Sequence, residues 1–203
     1  MSLMALGLLL SGCAPTFSDL QSARLAGKGR IELTPSFSSV SASGDQASGH
    51  VQNHFGGQAA TGVSDKVDLR VRYEYVDAEG EGIHILGLGP KFSLVPDRAA
   101  FYLPVGTGIA DRIQSGDLFQ IQPTFLYTQP VNPNFELTGS GKAILWVDRD
   151  VDDLVAFNLG AGISSDLEKW AIRPEGGILI NPGEDGRYWH FSLGFTYYAD
   201  RGR

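Results

Sequence analysis

The sequence predicts an all-β protein: an up-and-down antiparallel transmembrane β-barrel of about ten strands, with tight turns on one rim and longer acidic loops on the other. Three observations predict it. From Lys28 onward apolar and polar residues alternate with period two, and no long helical pattern interrupts them. Glycine supplies 26 of 203 residues, well above the usual ~7 %. The face that the alternation makes apolar is also the bulky one. Hydrophobic residues at 42 %, charged residues at 19 % and a mean hydropathy of −0.07 exclude both a disordered chain and a helical membrane protein. With 23 acidic against 16 basic side chains, the net charge of −7 leaves no electrostatic footprint for nucleic acid.

The first element is an address. The apolar run from Leu3 to Leu10 is far short of the ~20 residues a spanning helix needs and fits the apolar region of a secretory signal. Leu10-Ser11-Gly12-Cys13 follows and resembles the lipobox of bacterial lipoproteins. The resemblance implies a signal peptide over 1–12 and Cys13 as the lipid-bearing new N-terminus. Cys13 is the sole cysteine, so an intrachain disulfide is excluded; the alternative is a free thiol in a cleaved N-terminus. Residues 13–27 then read as the lipidated Cys and a polar tether, in which 17–25 could form a short helix.

Turn signals divide 28–200 into strands near 28–40, 49–63, 66–77, 82–95, 98–109, 118–130, 134–147, 153–164, 169–181 and 187–199. Every second connection is tight, as at Ser64-Asp65 and Pro96-Asp97, and the others are longer and acidic. An even strand count places both ends of the barrel on the tight-turn, periplasmic side, where a lipid-anchored N-terminus would enter.

A soluble barrel packs its apolar face inside, whereas a transmembrane barrel turns it to lipid. Bulk discriminates between the two. The apolar face carries Phe37, Phe55, Tyr73, Phe125, Phe157, Phe191 and Phe195, too many rings for one narrow interior. The opposite face carries Gly56, Gly62, Gly87, Gly89, Gly160, Gly162, Gly177 and Gly194. Aromatics also gather toward the strand ends: Phe101, Tyr127, Phe135, Trp170 and Tyr197 at the tight-turn rim, and Tyr75, Phe119, Trp146 and Trp189 at the loop rim. Two such belts match the bilayer interfaces. Pro35, Pro90, Pro104, Pro123 and Pro174 fall inside these strands. Proline cannot donate to a ladder, so bulges or shortened strands are expected there.

Thr61-Gly62-Val63-Ser64-Asp65-Lys66-Val67-Asp68-Leu69-Arg70-Val71-Arg72-Tyr73 resembles a turn and strand of small bacterial outer-membrane β-barrel proteins, and Gly87-Leu88-Gly89-Pro90-Lys91-Phe92-Ser93-Leu94 is similar to another strand of such barrels. The resemblance implies a Gram-negative outer-membrane location and a group that includes anchors, adhesins, small pores and a few enzymes. The last residues, Ala199-Asp200-Arg201-Gly202-Arg203, depart from the group's usual aromatic ending, a role that Tyr197 or Tyr198 could fill.

The inward face mixes signs. Arg30, Arg70, Arg72, Lys91, Lys142 and Arg173 stand with Glu32, Asp68, Glu74, Glu136 and Glu175. In a narrow lumen they should pair, because an unpaired buried charge is costly, and paired side chains would obstruct a wide channel. His190-Phe191-Ser192 puts a base and a nucleophile on one face and faintly resembles the His-x-Ser strand of lipid A deacylases, but Leu193 stands where they have Asn, and the alternation turns both residues inward. Asp148, Asp150, Asp152 and Asp153 resemble the start of a calcium loop, yet its sixth position is Asp153 and not Gly, and its twelfth is Leu159 and not Glu. The residues are instead a candidate divalent-cation rim that would bridge to anionic lipopolysaccharide; the alternative is a solvated acidic surface. No cofactor motif is present: there is no phosphate-cradling glycine loop and no Cys or His metal cluster.

The expected function is therefore a structural or interaction role at the cell envelope, without catalysis. The alternatives are a small pore for ions or solutes, a periplasmic lipoprotein β-barrel holding an apolar ligand, and a membrane-embedded hydrolase.

Overall fold

A computed structural model describes residues 15–44, 48–78, 81–109, 119–147, 152–183 and 185–200; Cys13, Asp148 and Asp150 lie outside them. The alternating sequence forms twelve strand segments: β1 (Arg30–Ser43), β2 (Ser48–Ser64), β3 (Val67–Ala78), β4 (Glu81–Val95), β5 (Ala99–Tyr102), β6 (Val105–Ile109), β7 (Gln120–Ile121), β8 (Thr124–Asn132), β9 (Phe135–Trp146), β10 (Leu154–Ile163), β11 (Trp170–Ile180) and β12 (Arg187–Asp200). Each pairs antiparallel with its neighbours. β1 pairs with β12 from Arg30 opposite Asp200 to Ser43 opposite Arg187, which closes the sheet into a ten-stranded barrel.

Twelve segments make ten staves because two staves are broken. β5 and β6 both pair with β4, and β7 and β8 both pair with β9. The breaks fall at Leu103-Pro104 and Gln122-Pro123, where the strand lacks a donor. The proline carbonyls are still used: Leu103 N donates to Pro90 O at 3.0 Å, Gln122 N to Pro104 O at 2.9 Å and Ala143 N to Pro123 O at 3.1 Å. The register shifts lie elsewhere, at Val40/Ser41, Gly62/Ser64, Ser93/Val95 and Pro130/Asn132, near strand ends. Of the two expectations for the prolines, shortened strands hold at Pro104 and Pro123. The two rims overlap more in loop length than the turn signals suggest: the 79–80 connection is as brief as the 65–66 turn, and 164–169 matches 181–186.

The outer surface settles the orientation. Phe125, Phe157 and Phe195 are 48 %, 53 % and 46 % exposed, and Phe37, Phe55, Tyr73, Phe191 and Leu193 also lie on the outside. Arg70, Lys91, Glu74 and Glu136 are inside and fully buried. This reverses the arrangement of a soluble barrel, so the reading of a periplasmic barrel with an apolar interior ligand is corrected. A closed sheet leaves no unpaired backbone edge, which is what lets it stand in hydrocarbon. Leu159, 65 % exposed in the middle of β10, tests this: Leu159→Arg should lower stability by ~2–4 kcal/mol, read from the urea midpoint of refolding into vesicles.

Tyr127, Tyr197, Tyr75, Phe119 and Trp189 are exposed near the strand ends. Trp146 does not join them. It turns inward and packs with Val51, Leu154 and Tyr188 against a buried cluster of Phe17, Val40, Ile144, Ala156 and Leu179. The reason is parity: on β9 Trp146 shares a face with buried Glu136, Lys142 and Ile144.

Residues 15–27 are neither helix nor outside tether. They run through the lumen without joining the sheet, and residues 16–23 are all buried. Phe17 lies in the cluster toward the loop ends of β1, β9, β10 and β11. At the other end Ala26 N donates to Asp68 beside the β2–β3 turn at 2.5 Å, and Lys28 bridges to Gly62. Gly27 and Gly29, at φ 86° and 79°, then reverse the chain into β1, a conformation that glycine adopts without steric cost. The segment therefore descends from the loop rim, near Pro15, to the tight-turn rim, where β1 begins and β12 ends. Pro15 stands at the end of the barrel opposite to the one expected.

Candidate functional site: an occupied lumen

The lumen is a polar socket walled by inward residues of all ten staves, and its occupant is the chain's own segment 15–27. Near the tight-turn rim, Lys91 Nζ donates to Ser22 O at 2.8 Å, Arg24 O at 2.6 Å and Gln21 Oε1 at 3.3 Å. Thr128 Oγ1 accepts from Ala23 N at 2.7 Å. Arg24 reaches Glu136 at 2.9 Å and Glu168, in the 164–169 turn, at 2.8 Å. Glu136 also takes Arg173 at 3.2 Å, and Arg173 Nε donates to Thr196 Oγ1 at 2.9 Å. Arg70 forks onto Glu32, with Nη1 to Oε2 at 3.3 Å.

In the middle of the barrel Glu175 grips the backbone. Its two oxygens accept from Asp19 N at 2.6 Å and Leu20 N at 2.7 Å. Leu20 sits at φ 49°, a left-handed conformation that costs a branched residue on the order of 1–3 kcal/mol. It turns successive N–H groups toward one point, an anion-binding nest, and the carboxylate is the anion. Asp19 returns the grip: Lys142 stands 2.8 Å from its Oδ1, Asn158 donates to Oδ2 at 2.7 Å, and Ser140 bonds Oδ2 as well. Gln58 donates to Asp19 O at 2.6 Å.

Toward the loop rim Arg72 donates to Ser18 O at 2.5 Å and Ser18 Oγ at 2.7 Å while also pairing with Glu74. Glu74 accepts from Thr16 Oγ1 at 2.8 Å and bonds His54 Nδ1 at 2.9 Å. Phe17 closes this end, edge-on to His190 at 4.7 Å. Inward glycines make the room. A Cβ on Gly194 would stand 3.1 Å from Thr34 Cγ2 and 3.5 Å from Leu20 Cβ; one on Gly162 would stand 2.8 Å from Glu136 Cγ.

Of the eleven charged residues expected on the inner face, ten line the socket. Arg30 is the exception. It sits at the tight-turn rim, with Nη1 3.5 Å from Glu168, Nε 3.4 Å from Asp200 and its guanidinium 5.1 Å from the Tyr198 ring. The wall pairs Glu32–Arg70, Glu74–Arg72 and Glu136–Arg173 form. Asp68, Lys91, Lys142 and Glu175 bond instead to segment 15–27. Sequence reasoning missed the partners Asp19, Arg24, Gln58, Thr128 and Asn158. The available signal was composition: Ser18, Ser22, Ala23, Ala26 and Gly27 are small enough for a narrow lumen.

His190 and Ser192 do share a face, with Nδ1 2.6 Å from Oγ and Asn158 Oδ1 2.9 Å from Nε2. Ser192 Oγ in turn donates to Ser38 Oγ at 2.6 Å and is wholly buried. A nucleophile behind Phe17 and the lumen segment has no surface to offer a lipid substrate. On the acidic rim, Asp152 accepts from Asn181 Nδ2 at 3.1 Å and Asp153 from Trp146 N at 3.2 Å, so both pin loop ends. Among the described residues no group of three metal-ligating side chains converges.

No protein family matches the sequence, and no curated protein matches it. Solved structures do. The translocator domain of the autotransporter NalP from Neisseria meningitidis has 8 % identity, TM-score 0.49, and covers 84 % of this chain and 88 % of that one. The KdgM porin has 8 % identity, TM-score 0.44, and covers 83 % and 98 %. Ail, the attachment invasion locus protein of Yersinia pestis, has 8 % identity, TM-score 0.37, and covers 85 % and 99 %. The likeness is one of architecture.

Proposed function

We propose that this bacterial outer-membrane β-barrel protein is a closed barrel with a structural or interaction role at the cell envelope, and that it neither conducts at rest nor catalyses a reaction. One observation carries the reading: the lumen is filled along its length by residues 16–26, each charged wall residue there being bonded to the segment or to another wall residue. A resting pore needs a continuous wet path, and this path is taken by polypeptide. Lipidation at Cys13 belongs to the same proposal, as does contact of the acidic loops with lipopolysaccharide through divalent cations.

The test is electrical. The full-length chain, purified and reconstituted into planar bilayers, is expected to show no conductance steps at rest. Steady open-channel steps from the intact protein would overturn the reading in favour of a small pore.

A further inference from the structure

Segment 15–27 has a direction, and the direction has a consequence for where the chain ahead of it goes. Arg24 meets the 164–169 turn through Glu168, and Ala26 meets Asp68 near the start of β3. Thr16 meets Glu74 near the end of β3, and Phe17 lies under Trp146, Val51, Leu154 and Tyr188 at the loop-side strand ends. Longer connections at this rim, 110–119 and 147–153, mark the extracellular side of an outer-membrane barrel. We propose that the lumen segment carries the polypeptide through the barrel, so that the chain ahead of Pro15 leaves at the loop rim, on the cell surface. The inference rests on the outer-membrane reading and its orientation.

Two physical arguments support it. The first is reach. Two residues extend at most about 7 Å, so the stretch between Cys13 and Pro15 is too short to span the barrel. The tight-turn rim lies much farther off: Thr16 stands beside Glu74, seven positions up β3 from Val67, roughly 23 Å along the strand. The second is room. Among the described residues, the way back to the tight-turn rim inside the barrel is already filled by Phe17, Asp19 and Leu20, all at most 1 % exposed. A chain arriving at Pro15 from the periplasm would have to share that passage with the segment it continues. An acyl chain on Cys13 would accordingly stand at the outer leaflet. It could not be drawn through the filled lumen of a finished barrel, so β1 and β12 must close around the segment after it is laid in place.

The experiment uses intact cells. A short hydrophilic epitope is inserted between Ala14 and Pro15 in the full chain. Control chains carry it in the 65–66 turn or in the 147–153 loop. Antibody on unpermeabilised cells is expected to detect the N-terminal and loop epitopes, and to detect the turn epitope only after permeabilisation. Pro15→Cys, probed with a membrane-impermeant maleimide, gives the same reading without an insertion. Detection of the N-terminal epitope and the Pro15→Cys thiol only after permeabilisation would overturn the proposal. The loop control then tells which premise failed: a loop epitope still visible on intact cells puts the fault in the threading, and a hidden one puts it in the orientation.

Discussion

Deleting residues 15–27 is expected to turn a silent barrel into a conducting one. The deletion removes no wall-to-wall hydrogen bond: the ladders from β1 round to β12 are made without the segment. It does remove the partners of Asp68, Lys91, Lys142 and Glu175. Buried charges without partners draw water, and a barrel with a hydrated lumen is a channel. Five cationic residues, Arg70, Arg72, Lys91, Lys142 and Arg173, then face five anionic ones, Glu32, Asp68, Glu74, Glu136 and Glu175, so discrimination between small cations and anions should be weak. Planar-bilayer recording of the refolded deletion checks both points. A milder variant, Asp19→Lys, sets a second cation against Lys142 and should produce intermittent openings. Silence from both variants would mean that wall side chains alone close the lumen.

Glu136→Leu is expected to be among the most destabilising single changes. Glu136 is fully buried and holds two guanidinium groups, Arg24 at 2.9 Å and Arg173 at 3.2 Å. Removing one member of a buried ion pair leaves the other uncompensated and typically costs about 3–5 kcal/mol. Glu168 touches the same Arg24 at 2.8 Å but is 67 % exposed, and an exposed pair is worth under about 1 kcal/mol. Glu168→Leu should therefore barely move the urea midpoint of the heat-modifiable band, while Glu136→Leu should shift it strongly. Equal small shifts would show that solvent reaches Glu136 and that the lumen is wet.

The barrel wall was legible because its information is local. In Phe125-Leu126-Tyr127-Thr128 each residue's side is set by its neighbours, and the structure places Phe125 and Tyr127 outside with Leu126 and Thr128 inside. Pro104 and Pro123 announced a defect but not its form, because a missing donor can be absorbed by a bulge or by a break. The strand-end position of Trp146 suggests a membrane belt, whereas parity along β9 points it at Phe17. For the inner charges, the face was readable and the partner was not. Lys91 and Lys142 bind carbonyls and a carboxylate of residues 18–24, far away along the chain.

The all-β class, the near-ten-stave count and the surface that meets lipid are written into the local alternation, because a strand's side chains alternate by backbone geometry whatever lies beyond it. What fills the barrel is not written there. Residues 15–27 have no periodicity of their own, and their place follows from contacts that exist only once β1 meets β12: the Glu175 carboxylate under the Asp19 and Leu20 amides, and Lys142 beside Asp19. A plug is specified by the shape and charge of the socket it enters, and that socket is assembled from residues scattered along the whole chain.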